Sequence, residues 1–156
     1  MPGSTLQVAE LTPEADALER MVFDGDPEAV RTALGELFER PILARLTEGC
    51  RGTIEIVLAE VMNNVSEHAY AEYPGTIDLS ISAHGDFILA QMVDTGLPMP
   101  GGELPGGKLA GGDGIQDLPE GGFGWFLIRS LTRELNYLRE GGTNRLSFCV
   151  DVDYQD

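Results

Sequence analysis

The apolar period changes once near the middle of the chain, and that change limits what the chain can become. Ile54, Val57, Leu58, Val61 and Val65 fall at i, i+3, i+4, i+7 and i+11, which is one buried stripe of a helix. After Pro74-Gly75, Ile77, Leu79, Ile81 and Ala83 alternate with Asp78, Ser80 and Ser82, the pattern of a strand with one buried face and one wet face. A helix with one apolar stripe and a strand with one apolar face must cover each other. The expectation is two layers around a single core, in one domain of a 156-residue chain.

The flanking segments extend this reading. "RMVF" (20–23) reads as a short strand, and "DGDPEAVRTALGELFERPILARL" follows with Asp26 at a helix start and Pro27 at its first position. The second helix is expected over Thr53–Tyr70. "HGD" (84–86) is a turn into a second strand, "FILAQMV", ending at Asp94, so the two strands form a hairpin. "FGWFLIRSLTREL" (123–135) reads as a helix, and "NYLREGG" with "TNRLSFCVDV" as two final strands. The resulting order is β-α-α-β-β-loop-α-β-β. It predicts an α+β fold, a two-layer α/β sandwich whose mixed, mostly antiparallel sheet is covered on one face by helices. Residues 1–19 are set apart as an N-terminal extension without assigned function, and 20–156 form the domain.

Charge and composition exclude several roles. Asp and Glu number 26 against 10 Lys plus Arg, a formal charge of −16, and such a surface repels phosphate backbones and anionic lipid headgroups. Direct nucleic-acid and membrane partners are not expected. Cys50 and Cys149 are far apart without C-x-x-C spacing, so neither a disulfide framework nor a zinc knuckle is indicated. The N-terminus has no basic start followed by an apolar core, and no apolar run reaches a membrane span. A cytoplasmic location is expected.

Polar residues on the second helix carry the chemistry. Glu60, Asn64 and His68 are spaced i, i+4, i+8 and would stack along one face about 6 Å apart per step. Asn is a poor helix former, so a mid-helix Asn63-Asn64 pair asks for a reason beyond a solvated polar face. Residues 97–120 contain seven Gly and four Pro in 24 positions, a composition that suits neither helix nor strand and marks a functional or disordered loop. Three apparent motifs fail. "GELPGGK" (102–108) is followed by Leu109 where a phosphate-binding P-loop needs Ser or Thr, "GFG" (122–124) lacks a third glycine and a preceding strand, and Glu67, His68 and His84 lack metal-ligand spacing.

Read in order, Glu60-x-x-x-Asn64, then "DTG" (94–96) at a strand end, then a Gly-rich loop closing with "GGFGWFLI" at a helix start, resemble the N, G1 and G2 boxes of the GHKL (histidine kinase-like) ATPase superfamily. "VLAEVMNNVSEHAY" and "GGFGWFLIRSL…LNYLREGGTNRLSF" are similar to segments of its anti-sigma-factor serine/threonine-protein kinase branch. The likeness spans roughly 20–152 and departs after Gly96, where "LPMPGG" replaces the Phe-Asp-Pro stretch frequent in that branch.

The resemblance implies ATP and Mg²⁺ as cofactors and an ATP lid at about 97–120. Asp94 would accept from the adenine amine while Gly96 lets the backbone come close, and Gly122 and Gly124 would offer amides to phosphate at a helix N-terminus. Asn64 would supply the magnesium oxygen. Glu60 would be the general base for an attacking hydroxyl. His68 would orient a neighbour, touch phosphate or be merely structural, and Lys108 would fold over the γ-phosphate or stay solvated. Thr143 or Asn144 would help Asp94 hold adenine.

Two functions follow. One is a kinase that phosphorylates a Ser or Thr of a small antagonist protein in a partner-switching system. The other is a nucleotide-gated anti-sigma or partner-switch module that transfers nothing. A sigma factor and a second copy of the chain are further expected partners. A sensor histidine kinase would need dimerisation helices with a phospho-acceptor His, and a topoisomerase-type ATPase a transducer domain.

Overall fold

The computed structural model describes residues 17–105 and 122–155. Five strands, β1 (Ala17–Asp24), β2 (Thr76–His84), β3 (Phe87–Asp94), β4 (Arg133–Glu140) and β5 (Thr143–Asp151), form one sheet in the order β1-β2-β3-β5-β4. Every described pairing is antiparallel, so the mostly antiparallel sheet expected from the hairpin links is wholly so. Among the described residues, four α-helices accompany it: α1 (Pro27–Leu37), α2 (Pro41–Ala44), α3 (Glu48–Asn64) and α4 (Gly122–Leu131). None of the described helices is long and apolar enough to cross a membrane.

The alternation read in the sequence decides which face is covered. Ile77, Leu79, Ile81 and Ala83 of β2 are buried with Ile88, Ala90 and Met92 of β3 and Leu146, Phe148 and Val150 of β5. Val30 and Leu37 of α1, Ile54, Val57, Leu58 and Val61 of α3, and Trp125 and Ile128 of α4 close over them in one cluster.

The boundaries differ from the sequence reading in ways that local chemistry explains. β1 begins at Ala17, three residues before the expected strand, in full register with β2. Asp26 caps α1, accepting from the Ala29 amide at 2.8 Å, and Pro27 follows it as expected. Pro41, which has no N–H to continue the helix, instead starts the separate α2. α3 starts at Glu48, not Thr53: the Thr47 hydroxyl accepts from the Cys50 amide, and this cap carries the helix through Gly49 and Gly52. α4 ends at Leu131, not 135. The Ser130 and Thr132 hydroxyls donate back to the carbonyls of Phe126 and Ile128 at 2.7 Å, and Glu134 takes φ 55° in a bulge as Arg133 joins β5.

α3 does not continue to Tyr70 as an α-helix. Val65–Ala69 is a π-helical segment, closed by an i to i+5 bond from the Tyr70 amide to the Val65 carbonyl at 3.0 Å. The stack expected for Glu60, Asn64 and His68 thus lies half on α-helix and half on the wider turn, with His68 in the π segment.

Candidate functional site

β3 and β5 bring two polar side chains to the covered face of the sheet. Asp94 and Asn144 are register partners and are 6% and 5% exposed, in a layer otherwise apolar. A buried carboxylate survives there only if it is hydrogen-bonded. Asp94 Oδ1 accepts from Asn144 Nδ2 at 2.7 Å and from the Gly96 amide at 2.9 Å. Burial pushes the Asp94 carboxyl above the ordinary carboxylate range, and the bonds from Asn144 and Gly96 and the Arg139 charge only partly offset this.

The Asn144 amide is fully committed. Its Nδ2 also donates to the Leu97 carbonyl at 2.9 Å, and its Oδ1 accepts from the Tyr137 hydroxyl at 2.6 Å and from Arg139 Nη1 at 3.1 Å. Arg139 Nη1 further donates to the Gly96 carbonyl at 2.6 Å, and the Tyr137 hydroxyl accepts from the Met99 amide at 2.9 Å. Asn144 is thus a brace that aims Asp94. Arg51 Nε is the only fully buried side-chain nitrogen or oxygen without a hydrogen bond among the described residues. Asp94 Oδ2, which makes none of the described bonds, is therefore not sealed off.

Asp94 and Asn144 line a cavity of about 40 Å³ together with Val65, Met99, Trp125 and Leu146. Its apolar walls around few polar groups suit the face and polar edge of a flat heterocycle. Asn64 and His68 line the same cavity from the helix side. Neither side chain hydrogen-bonds another described residue, so their polar atoms are available to a ligand or solvent.

The other sequence-predicted residues are distributed around this cavity. Gly96 is buried where a Cβ would collide with the Ala69 carbonyl, and the Leu97 amide donates to that same carbonyl at 2.7 Å. Glu60 is not in the cavity lining; its carboxylate lies against Gly124, where a Cβ would strike it. Gly122 opens α4, whose first amides have no partner within the helix. Of Thr143 and Asn144, only Asn144 reaches Asp94, while Thr143 pairs with Glu140 beside the hairpin turn. Asn63 is exposed, and nothing in the structure explains it. Lys108 and most of the expected lid, 106–120, lie outside the described residues. Tyr137 and Arg139 are site residues that sequence reading missed. They alternate on β4 with Leu135, a face that was hidden while 133–135 counted as helix.

No group of three or more His, Cys, Asp or Glu side chains among the described residues is placed to hold a metal ion. A cation at this site would need oxygens from its ligand, as Mg²⁺ does when phosphates and water complete its shell. The fit of Gly96 predicts that Gly96→Ala destabilises the protein by about 1–3 kcal/mol, read as a lower denaturation midpoint at unchanged slope in urea.

The family model of the histidine kinase-like ATPase domain matches residues 23–150 of the chain. No curated protein matches the chain.

Proposed function

The chain belongs to the histidine kinase-like ATPase domain family, and from that premise we propose that it binds ATP with Mg²⁺ and transfers the γ-phosphoryl group to a Ser or Thr hydroxyl of a small antagonist protein, as an anti-sigma-factor-type serine/threonine kinase. The observation that carries the reading is the braced Asp94, with one carboxylate oxygen committed to Asn144 and Gly96 and the other left for an amine donor beside an apolar cavity. Adenine presents such a donor on a flat apolar ring.

Each residue then has a task. Asp94 accepts from the exocyclic amine, and the aliphatic and aromatic walls hold the ring. The amides that open α4, which have no partner within the helix, would face phosphate, favoured by the helix dipole. Asn64 would give an oxygen to the cation, which when bound neutralises phosphate charge. Glu60 takes the proton as the hydroxyl oxygen attacks phosphorus; the bond to the β–γ bridging oxygen breaks and ADP leaves. A sigma factor and a second copy of the chain remain proposed partners.

A second reading has its own support. Glu60 rests against Gly124, outside the cavity lining. That position suits a residue coupling α3 to α4, so that nucleotide gates partner binding without transfer. Calorimetry with ATP in Mg²⁺ and again with excess chelator tests the shared part: affinity should fall at least tenfold without the cation, and no heat in either condition would defeat both readings. Labelled ATP with candidate antagonists separates them, since only a kinase labels the partner.

A further inference from the structure

Tyr70 is unused by the reaction just described, yet three segments converge on it. Gly25 and Gly75, tied by a Gly25 amide to Gly75 carbonyl bond of 2.9 Å, form a notch that the Tyr70 ring fills, and a Cβ on either glycine would strike the ring. The Tyr70 hydroxyl donates to the Thr76 carbonyl at 2.5 Å and accepts from the Thr95 amide at 3.0 Å. Both glycines are thereby explained by one side chain.

The second of these bonds reaches the site. Three successive amides follow Asp94, and each has a separate acceptor. Thr95 donates to the Tyr70 hydroxyl, Gly96 to Asp94 Oδ1, and Leu97 to the Ala69 carbonyl. The Tyr70 hydroxyl is the only one of the three acceptors that belongs to a side chain outside the turn itself. It fixes the peptide plane between Asp94 and Thr95, and through it the direction in which the Asp94 carboxylate points. Tyr70 also ends the π segment, so from outside the cavity lining one residue ties the helix that carries Asn64 and His68 to the turn after Asp94.

We propose that Tyr70 is a positioning residue for base selectivity, whose hydroxyl holds the turn after β3 so that Asp94 discriminates an exocyclic amine from an oxygen at the same ring position. This rests on the nucleotide reading of the cavity. Tyr70→Phe keeps the ring in its notch and removes only the hydroxyl, and the Thr76 carbonyl it leaves belongs to an exposed residue that water can satisfy.

The test compares wild type and Tyr70→Phe for binding of ATP and of inosine triphosphate, which carries an oxygen where ATP carries the amine. The variant is expected to lose about 3- to 10-fold in ATP affinity, the worth of one hydrogen bond, while inosine triphosphate changes less than about twofold. A general loosening of the fold would weaken both nucleotides alike, and that result overturns the proposal. So does an unchanged ratio in the variant when the wild type prefers ATP. A wild type that treats the two nucleotides equally instead overturns the adenine reading of the cavity, and the selectivity role with it. Hydrogen exchange without nucleotide tests the contact by itself: the Thr95 amide should exchange at least about tenfold faster in Tyr70→Phe while the amides of β3 keep their protection, and an unaltered Thr95 rate defeats the clasp whatever the nucleotides do.

Discussion

Asp94→Asn is expected to lower ATP affinity on the order of 100-fold, the scale of a lost charge-assisted hydrogen bond in a dry site, while the protein stays folded. The amide oxygen can keep both bonds that Oδ1 now accepts, from Asn144 and Gly96. The amide nitrogen then occupies the place of Oδ2 and turns a donor toward the donor of the base. Calorimetry beside a thermal melt measures both consequences. Unchanged affinity would take Asp94 out of the site, and loss of the melt would make it a folding residue.

Acid should have a related effect. The folded protein holds the Asp94 carboxyl above its ordinary range because burial disfavours the charge. Protonation is therefore easier in the fold than in the unfolded chain, so this group's share of stability is fully present below the unfolded value and is lost as pH rises through the folded one. Nucleotide affinity runs the other way, because only the ionised carboxylate leaves both oxygens as acceptors. Affinity should fall on acidification through a value above that of a free carboxylate. The Asp94→Asn variant should lose this part of each dependence.

Glu60→Ala carries the second large effect: about 10²- to 10⁴-fold slower phosphoryl transfer, the range for a lost general base, with ATP affinity within about twofold of wild type. The carboxylate stands outside the cavity lining and against Gly124, so the base-binding walls survive the change. Single-turnover labelling of an antagonist and nucleotide binding should be measured on one preparation. Transfer that survives the mutation removes Glu60 as the base. A wild type that binds its partner in an ATP-dependent way but labels nothing leaves the switch module as the function.

The periodicity made the layers and most of the strands legible, because each strand wets one face and each helix buries one stripe. It failed where a single hydroxyl or backbone angle outweighed the pattern. Thr47 starts α3 ahead of its apolar stripe, and Ser130, Thr132 and Glu134 end α4 before its helical composition runs out. The order of motifs pointed to Asp94, Asn64 and the flanking glycines as candidates. It could not separate Asn144 from Thr143, since that choice depends on which face each presents once β5 pairs with β3. Tyr137, Arg139 and the Tyr70 hydroxyl were invisible for the same reason: their partners lie across strands or 25 or more residues away in sequence, and no local pattern records them.

The π segment makes helix length a matter of phase. An α-helix advances about 100° per residue, and the π turn fits one more residue into nearly the same rotation. Removing one residue from Val65–Ala69 would therefore restore even winding and leave Asn64 close to its present phase relative to Tyr70, which is locked between Gly25 and Gly75. A residue lost from the regular turns of α3 finds no such slack and would turn everything before it by roughly a quarter turn. Among proteins that keep this site, a gap of one residue should therefore fall in the π segment rather than in the turns before it.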